Sequence, residues 1–362
     1  MSAPAPKPGI LQIKPYVGGA SIAPAAPRGR VSRLASNEPP LGPSPRAIEA
    51  CRRAGDNLHR YPDGGARNLR AALAEHHGID ATGIVCGNGS DELLALLAKC
   101  FAGPGDEVLC SEFGFPIYPI AARSAGATPV AAPEPHLRAD VEAFAGLVGA
   151  DTKIVFLANP NNPTGSYITA SELRDLHGRL PAETLLVVDT AYAEYVCAAD
   201  YDAGFAMVEE FDNVVITRTF SKLYGLAALR VGWAYCPAGV ADVLNRVRGP
   251  FNVTAPSQAA ARAALADTDH ARMARDHNTR WLPWLSAELA GLGLTVHPSV
   301  ANFILVEFPG KAAAARAHLL SRGIITREMD GYSLPDCLRI TIGLEEDLRA
   351  VVAACAEFLA PP

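Results

Sequence analysis

The sequence predicts an α/β fold, in which a large domain with a mostly parallel central sheet covered by helices precedes a smaller α+β domain. Three observations carry this expectation. Short apolar, β-branched runs such as Val214, Val215 and Ile216 read as buried strands, and they alternate with helical stretches through the first two thirds of the chain, as βα units do. After Gly293 the pattern changes to short strands with two helices, which marks a second domain beginning near residue 247. The length of 362 residues suits one large α/β domain and a smaller partner. The expected division is an N-terminal arm over 1–30, a large domain over 31–246 and a small domain over 247–362.

The elements follow in order. Residues 1–30 are rich in Pro, Ala and Gly without helical or strand period, and Ile13-Lys14-Pro15-Tyr16-Val17 is their one amphipathic patch. Ser44-Pro45 opens a helix in the N-cap and N1 manner. Tyr61 precedes Pro62 and is pushed toward an extended conformation. A helix is expected over 66–77, ended by Gly78, then a strand over 83–86 and a helix over 93–101. Strands at 107–110, 128–131, 153–158 and 184–188 alternate with helices at 116–125 and 169–180. The run from Val214 is expected to end at Thr217. Helical character dominates 241–292 with a break at Phe251–Pro256, and strands at 294–297, 303–306 and 337–342 with helices at 311–321 and 344–359 complete the chain.

Composition narrows the function classes. A net charge of −6 argues against nucleic acid as the main partner, because phosphate backbones select basic faces. No apolar run reaches the length of a membrane span and no signal-peptide pattern opens the chain. The eight cysteines show no Cys-x-x-Cys pairing, so they read as reduced core residues, neither disulfides nor metal ligands. A cytoplasmic protein without a metal is the resulting expectation.

Four stretches carry chemistry. Of six lysines, only Lys222 is surrounded by small residues, hydroxyls (Thr219, Ser221) and an arginine eight positions on, Arg230. Those are the parts needed to hold an anionic carbonyl cofactor beside a nucleophilic amine. Gly87-Asn88-Gly89-Ser90-Asp91-Glu92 joins a strand to a helix and would present free N–H groups to an anion. Asn159-Pro160-Asn161-Asn162-Pro163-Thr164-Gly165 forms a stiff loop at the C-terminal edge of a strand, where ligands collect in parallel sheets. Asp189 ends the buried run Val187-Val188 and needs a cationic partner there. Each has an ordinary structural alternative: a lysine that snorkels out, helix capping by Ser90 or Asp91, a well-made turn, and an internal ion pair.

Together, the Ser221-Lys222, Gly225 and Arg230 pattern and the Asn159–Gly165 string resemble the fold-type I aminotransferases that use pyridoxal phosphate. The resemblance implies that Lys222 is the Schiff-base residue and that Asp189 holds the protonated pyridine nitrogen. Asn162 and Tyr192 would bond the cofactor's phenolic oxygen, and Gly89, Ser90, Asp91, Thr219, Ser221 and Arg230 would surround its phosphate. Tyr61 resembles the tyrosine that reaches this phosphate from a neighbouring subunit, which implies a homodimer with shared sites. Phe115 matches the aromatic that stacks on the ring, with Phe113 as the other candidate.

The arginines Arg327 and Arg339, Tyr16 in the arm, and Ser36-Asn37-Glu38 are similar to the histidinol-phosphate aminotransferases, over about residues 13–343. That likeness implies that Arg339 takes a substrate carboxylate and that Tyr16 with both arginines holds a substrate phosphate; Asn37 and Asn162 join the substrate site. The implied reaction interconverts L-histidinol phosphate and 2-oxoglutarate with imidazole acetol phosphate and L-glutamate, in histidine biosynthesis. Asn37-Glu38-Pro39-Pro40 departs from the Asn-Glu-Asn-Pro expected in that family. Neighbouring readings are an aromatic amino acid aminotransferase, a threonine-phosphate decarboxylase and, in another class, a cofactor-binding regulator.

Overall fold

The strands that build the centre of the molecule are buried on both faces, and their side chains sort by alternation. In the computed structural model, which describes residues 5–19 and 31–361, Val155 and Leu157 enter one apolar cluster while Ile154, Phe156 and Ala158 enter another. The same split separates Leu186 and Val188 from Leu185 and Val187, as the two-residue period of a strand requires. The first cluster is closed by helices Arg67–His77, Ala170–Gly178 and Ala255–Ala266. The second is closed by Ser90–Phe101, Ile117–Ala125 and Ala238–Val247. The expected arm falls partly outside the described residues, at 1–4 and 20–30.

The strands, in chain order, are β1 (Ser32–Arg33), β2 (Ile84–Gly87), β3 (Glu107–Ser111), β4 (Thr128–Ala132), β5 (Thr152–Ala158), β6 (Leu185–Asp189) and β7 (Val214–Thr219). They continue as β8 (Gly232–Tyr235), β9 (Val296–His297), β10 (Phe303–Glu307), β11 (Ile324–Ile325), β12 (Arg327–Glu328) and β13 (Cys337–Thr341). The central sheet has the order β2-β8-β7-β6-β5-β3-β4. The run β7-β6-β5-β3-β4 is parallel, and β8 runs opposite to the other strands of this sheet, antiparallel to both β2 and β7. The mostly parallel sheet expected from the sequence is therefore present, and the C-terminal ends of β5, β6 and β7 open toward one side. A second, antiparallel sheet β12-β13-β10-β9 carries its own core of Trp281, Leu285, Ile304 and Ile340.

Two expectations are revised. Strand β7 does not end at Thr217: it runs on to Thr219 because Arg218 and Thr219 pair with Trp233 and Gly232 of β8. Apolar packing also crosses the division expected near residue 247. Ala260, Ala261 and Ala264 belong to the large sheet's core, whereas Leu34 joins the small unit and β1 pairs in parallel with β11. We infer that the chain passes between the two units within helix Thr268–Gly291, whose later residues Trp281, Leu285 and Leu289 enter the small core.

Candidate active site

A cavity of about 240 Å³ lies at the C-terminal ends of β5, β6 and β7, between the large sheet, β12–β13 and residues 16–19 of the arm. Lys222 stands on its wall, three residues past the end of β7. The chain turns there through Gly225, whose φ is +68° and where a Cβ would meet the Gly42 backbone at 2.7 Å. Only glycine fits that position. Lys222 Nζ donates to the Ser36 carbonyl at 3.2 Å and lies 5.6 Å from the centre of the Tyr192 ring. Burial, helped by the Arg339 charge, lowers its pKa to about 8.

Asp189 ends β6. Its Oδ2 accepts from the Tyr118 hydroxyl at 2.9 Å and its Oδ1 from Thr217 Oγ1 at 3.1 Å. Thr217 lies opposite it in the parallel ladder, so the sheet register itself delivers this donor. Burial raises the carboxyl to about 6, since among the described residues the hydroxyl donors are not joined by a cation. Tyr192 follows three residues on. Its hydroxyl accepts from Asn37 Nδ2 at 2.8 Å, and burial raises its phenol pKa. Behind it, the buried pair Arg218–Glu194 at 2.7 Å ties the turn after Tyr192 to β7.

The anion end of the cavity forms where Arg230 meets the start of helix Ser90–Phe101. The N-cap is Gly89, without a side-chain cap, so the capping role considered for Ser90 or Asp91 is not taken up. Asp91 Oδ2 instead accepts from Arg230 Nη2 at 3.2 Å, and Arg230 Nη1 donates to Ser221 Oγ at 3.3 Å and the Ala227 carbonyl at 3.1 Å. Gly89 does not line the cavity itself. It makes room for the guanidinium: its φ is +80°, and any Cβ there would run into Arg230. Thr219 Oγ1 accepts from the Ser221 N–H at 3.1 Å, which shapes the turn between β7 and Lys222.

The opposite wall carries the remaining residues. Arg327 and Arg339 are directly paired across the antiparallel strands β12 and β13. Arg339 is buried; its Nη1 donates to Asn162 Oδ1, its Nη2 donates to the Ala35 carbonyl at 2.8 Å, and its Nε has no partner. Arg327 Nη2 donates to the Val17 carbonyl at 2.7 Å, so the amphipathic patch of the arm docks over the cavity mouth. Tyr16 then meets Phe115 edge-on at 6.2 Å. Asn37 is buried with φ +57°, held by Thr341 and Asn302.

Phe115 lines the cavity and Phe113 does not, which decides between the two aromatics as a wall residue. Tyr61 is not brought to the cavity of its own chain: it is 83% exposed and stacks on Phe251 at 4.6 Å. The sequence assigned no role to Tyr118, and named Ser36 only within Ser36-Asn37-Glu38 without a role for its carbonyl. Tyr118 lies in the first turn of helix Ile117–Ala125, whereas Phe115 precedes its N-cap Pro116, so no helical spacing linked the two. The Ser36 carbonyl left no sequence signal, because a backbone acceptor has no residue preference.

A lysine beyond a strand end, a buried carboxylate and an arginine at a helix start, all at one edge of this doubly covered sheet, are the parts a cofactor-dependent group-transfer enzyme needs. The family model described as "Aminotransferase class I and II" matches residues 30–354, and the chain belongs to that family. It is 57% identical to a histidinol-phosphate aminotransferase of Paramagnetospirillum magneticum over 99% of both chains. A histidinol-phosphate aminotransferase of Rhodospirillum centenum is 55% identical, again over 99% of each. Among solved structures, the histidinol-phosphate aminotransferase of Sinorhizobium meliloti in complex with pyridoxal-5'-phosphate superposes with a TM-score of 0.91, at 31% identity over 99% of this chain and 98% of that one.

Proposed function

We propose that this protein is a pyridoxal-phosphate-dependent aminotransferase that exchanges the amino group between L-histidinol phosphate and 2-oxoglutarate in histidine biosynthesis. The observation that carries the substrate reading is the cross-strand pair Arg327–Arg339. Like charges directly opposite one another in a sheet repel, and a doubly charged phosphate or a carboxylate on that wall relieves the repulsion with forked hydrogen bonds. The likeness to curated histidinol-phosphate aminotransferases across the full length supports the same substrate.

The residues present fit the cofactor. Asp189 is a buried carboxylate whose raised pKa marks the lack of a cation, which a protonated ring nitrogen would supply. Arg230, Ser221, Ser90 and the uncapped helix start would hold the phosphate. Asn162, its Oδ1 already taken by Arg339, keeps Nδ2 to donate to the phenolic oxygen. Tyr192, accepting from Asn37, keeps its hydroxyl proton for the same atom. Phe115 would cover one ring face. When bound, pyridoxal phosphate supplies an electrophilic carbonyl and a ring that accepts the electron pair left by proton loss.

Lys222 does the proton work. Its Nζ is neutral above about pH 8, so it serves as a nucleophile and then takes the proton from the amine-bearing carbon of the substrate. Arg339 orients the carboxylate of glutamate, and Arg327 with Tyr16 orients the phosphate of histidinol phosphate. Tyr16 lines the cavity, and the Val17 carbonyl ties this part of the arm to Arg327. Tyr61, outside its own cavity, is assigned to the phosphate end of a second copy's site, in a cytoplasmic homodimer. No helix among the described residues is long and apolar enough to cross a membrane.

Half-reaction spectroscopy tests the reading. The purified protein is loaded with pyridoxal phosphate and mixed separately with histidinol phosphate, phenylalanine and threonine phosphate. Rapid loss of the visible band with histidinol phosphate alone is expected. Equal rates with phenylalanine would make it an aromatic aminotransferase, and carbon dioxide release from threonine phosphate would make it a decarboxylase. Sedimentation at the mass of a monomer would remove the shared site.

A further inference from the structure

We propose that Glu134 is a positioning residue that clamps the two loops carrying Phe115 and Asn162 into one fixed spacing. The inference rests on the proposed cofactor reading and concerns how its ring would be held. Glu134 follows the end of β4, is 3% exposed and lies outside the cavity. Its Oε2 accepts from the Phe113 N–H at 2.9 Å, and its Oε1 is 3.5 Å from Asn161 Nδ2. Phe113 stands two residues before Phe115, and Asn161 immediately precedes Asn162.

Each of those loops is internally tied. Gly114 N–H donates to the Ser111 carbonyl at 3.0 Å, and Tyr118 N–H to Phe115 at 3.0 Å. In the other loop, Asn161 Nδ2 donates to Thr164 Oγ1 at 3.1 Å, Asn161 N–H to Ser166 at 2.8 Å and Gly165 N–H to Asn161 at 2.9 Å. A single carboxylate between two such bodies sets their separation, and with it the gap between the wall aromatic and the amide.

The chain around Glu134 is held to this task at a cost. His136 and Leu137 both adopt left-handed backbone, with φ of 57° and 58°, a conformation that non-glycine residues keep only where surrounding contacts impose it. Those contacts are present: the Leu137 carbonyl accepts from Ser166 Oγ at 2.9 Å, and the Leu137 side chain packs on the cluster of Leu305, Met329, Tyr332 and Cys337. Burial raises the Glu134 carboxyl to about 7, because desolvation disfavours its charged form.

The test compares E134Q and E134A with the parent protein, measuring pyridoxal phosphate affinity by absorbance titration and the visible circular dichroism of the bound cofactor. Failure of the parent itself to take up pyridoxal phosphate would overturn the functional reading. With uptake in the parent, E134A is expected to weaken affinity about tenfold, the size of a lost buried acceptor, and to reduce the visible dichroism. In turnover its kcat should fall while KM for histidinol phosphate changes little, because Arg327 is tied to Val17 and to neither loop. E134Q keeps an acceptor for the Phe113 N–H but sets its amide NH2 against that of Asn161, so its loss of affinity should be measurable and smaller than that of E134A. Parent-like affinity and dichroism in E134A would overturn the proposal. Should E134A not fold, N161S cuts the same bridge from its other end. The losses in N161S and E134Q must then be non-additive in the double variant, and strict additivity would refute the clamp.

Discussion

Lys222, Asp189 and Thr219 stand at or just beyond the ends of strands buried on both faces, whereas Arg327, Tyr16 and Val17 stand on a two-residue strand and an arm segment. The first group is held by ladder register: Thr217 faces Asp189 because β6 and β7 pair in that alignment. The second is held by a single side-chain hydrogen bond, from Arg327 to the Val17 carbonyl. A ligand anion can replace a carbonyl as partner of a guanidinium, while nothing replaces a strand register. On the proposed function, the sheet-end wall would keep reacting groups in place and the arginine wall would exchange partners as substrates alternate.

The sharpest way to break this comparison is at Lys222. K222A should lower the half-reaction rate by about 10²–10⁴-fold with every amino donor, measured as keto product formed in a single turnover; substrate-dependent losses would mean the two walls do not divide the labour. D189N keeps the shape and removes the charge, and a fall of roughly 10²–10³-fold for both donors is expected. R327A sharpens the contrast from the other side. It should raise KM for histidinol phosphate by about 10–100-fold and leave the glutamate half-reaction near the parent rate; equal loss for glutamate would place Arg327 in the shared machinery.

Two smaller effects probe the sheet-end wall alone. The Lys222 amine is protonated below about pH 8, so capture of pyridoxal phosphate by the apoprotein should speed up as pH rises and level off above that value. Between pH 8 and pH 6 the slope should approach about tenfold per unit, read from the rate of absorbance growth. A flat profile would mean that the ammonium is not the form being titrated. Y118F removes one of the hydroxyl donors to Asp189 and should slow both half-reactions by about 5- to 10-fold. An effect confined to one donor would show that Tyr118 touches substrate.

Much of the sheet-end wall was legible in the chain because its signals are local. A β-branched run followed within a few residues by Lys222, a carboxylate ending a buried strand, and a Pro- and Asn-rich loop after β5 each announce themselves in one short window. The break between the two structural units was less legible. Helix Ala255–Ala266 reads like its helical neighbours, and only packing shows its alanines against the large sheet. Likewise β1 is two residues long and takes its identity from β11, nearly 300 residues away in sequence.

By itself, the sequence determined the alternating α/β plan and singled out Lys222, Asp189 and Arg230, which the structure brings to one cavity. These follow from periodicity and from residue chemistry within a few positions. Tertiary structure alone decided that Arg327 and Arg339 face each other, that Phe115 and not Phe113 reaches the cavity, that Gly89 serves by yielding space to Arg230, and that Tyr118 and Glu134 support groups they are distant from in the chain. Those are facts of register and close approach, and both are settled only when strands far apart in sequence pair.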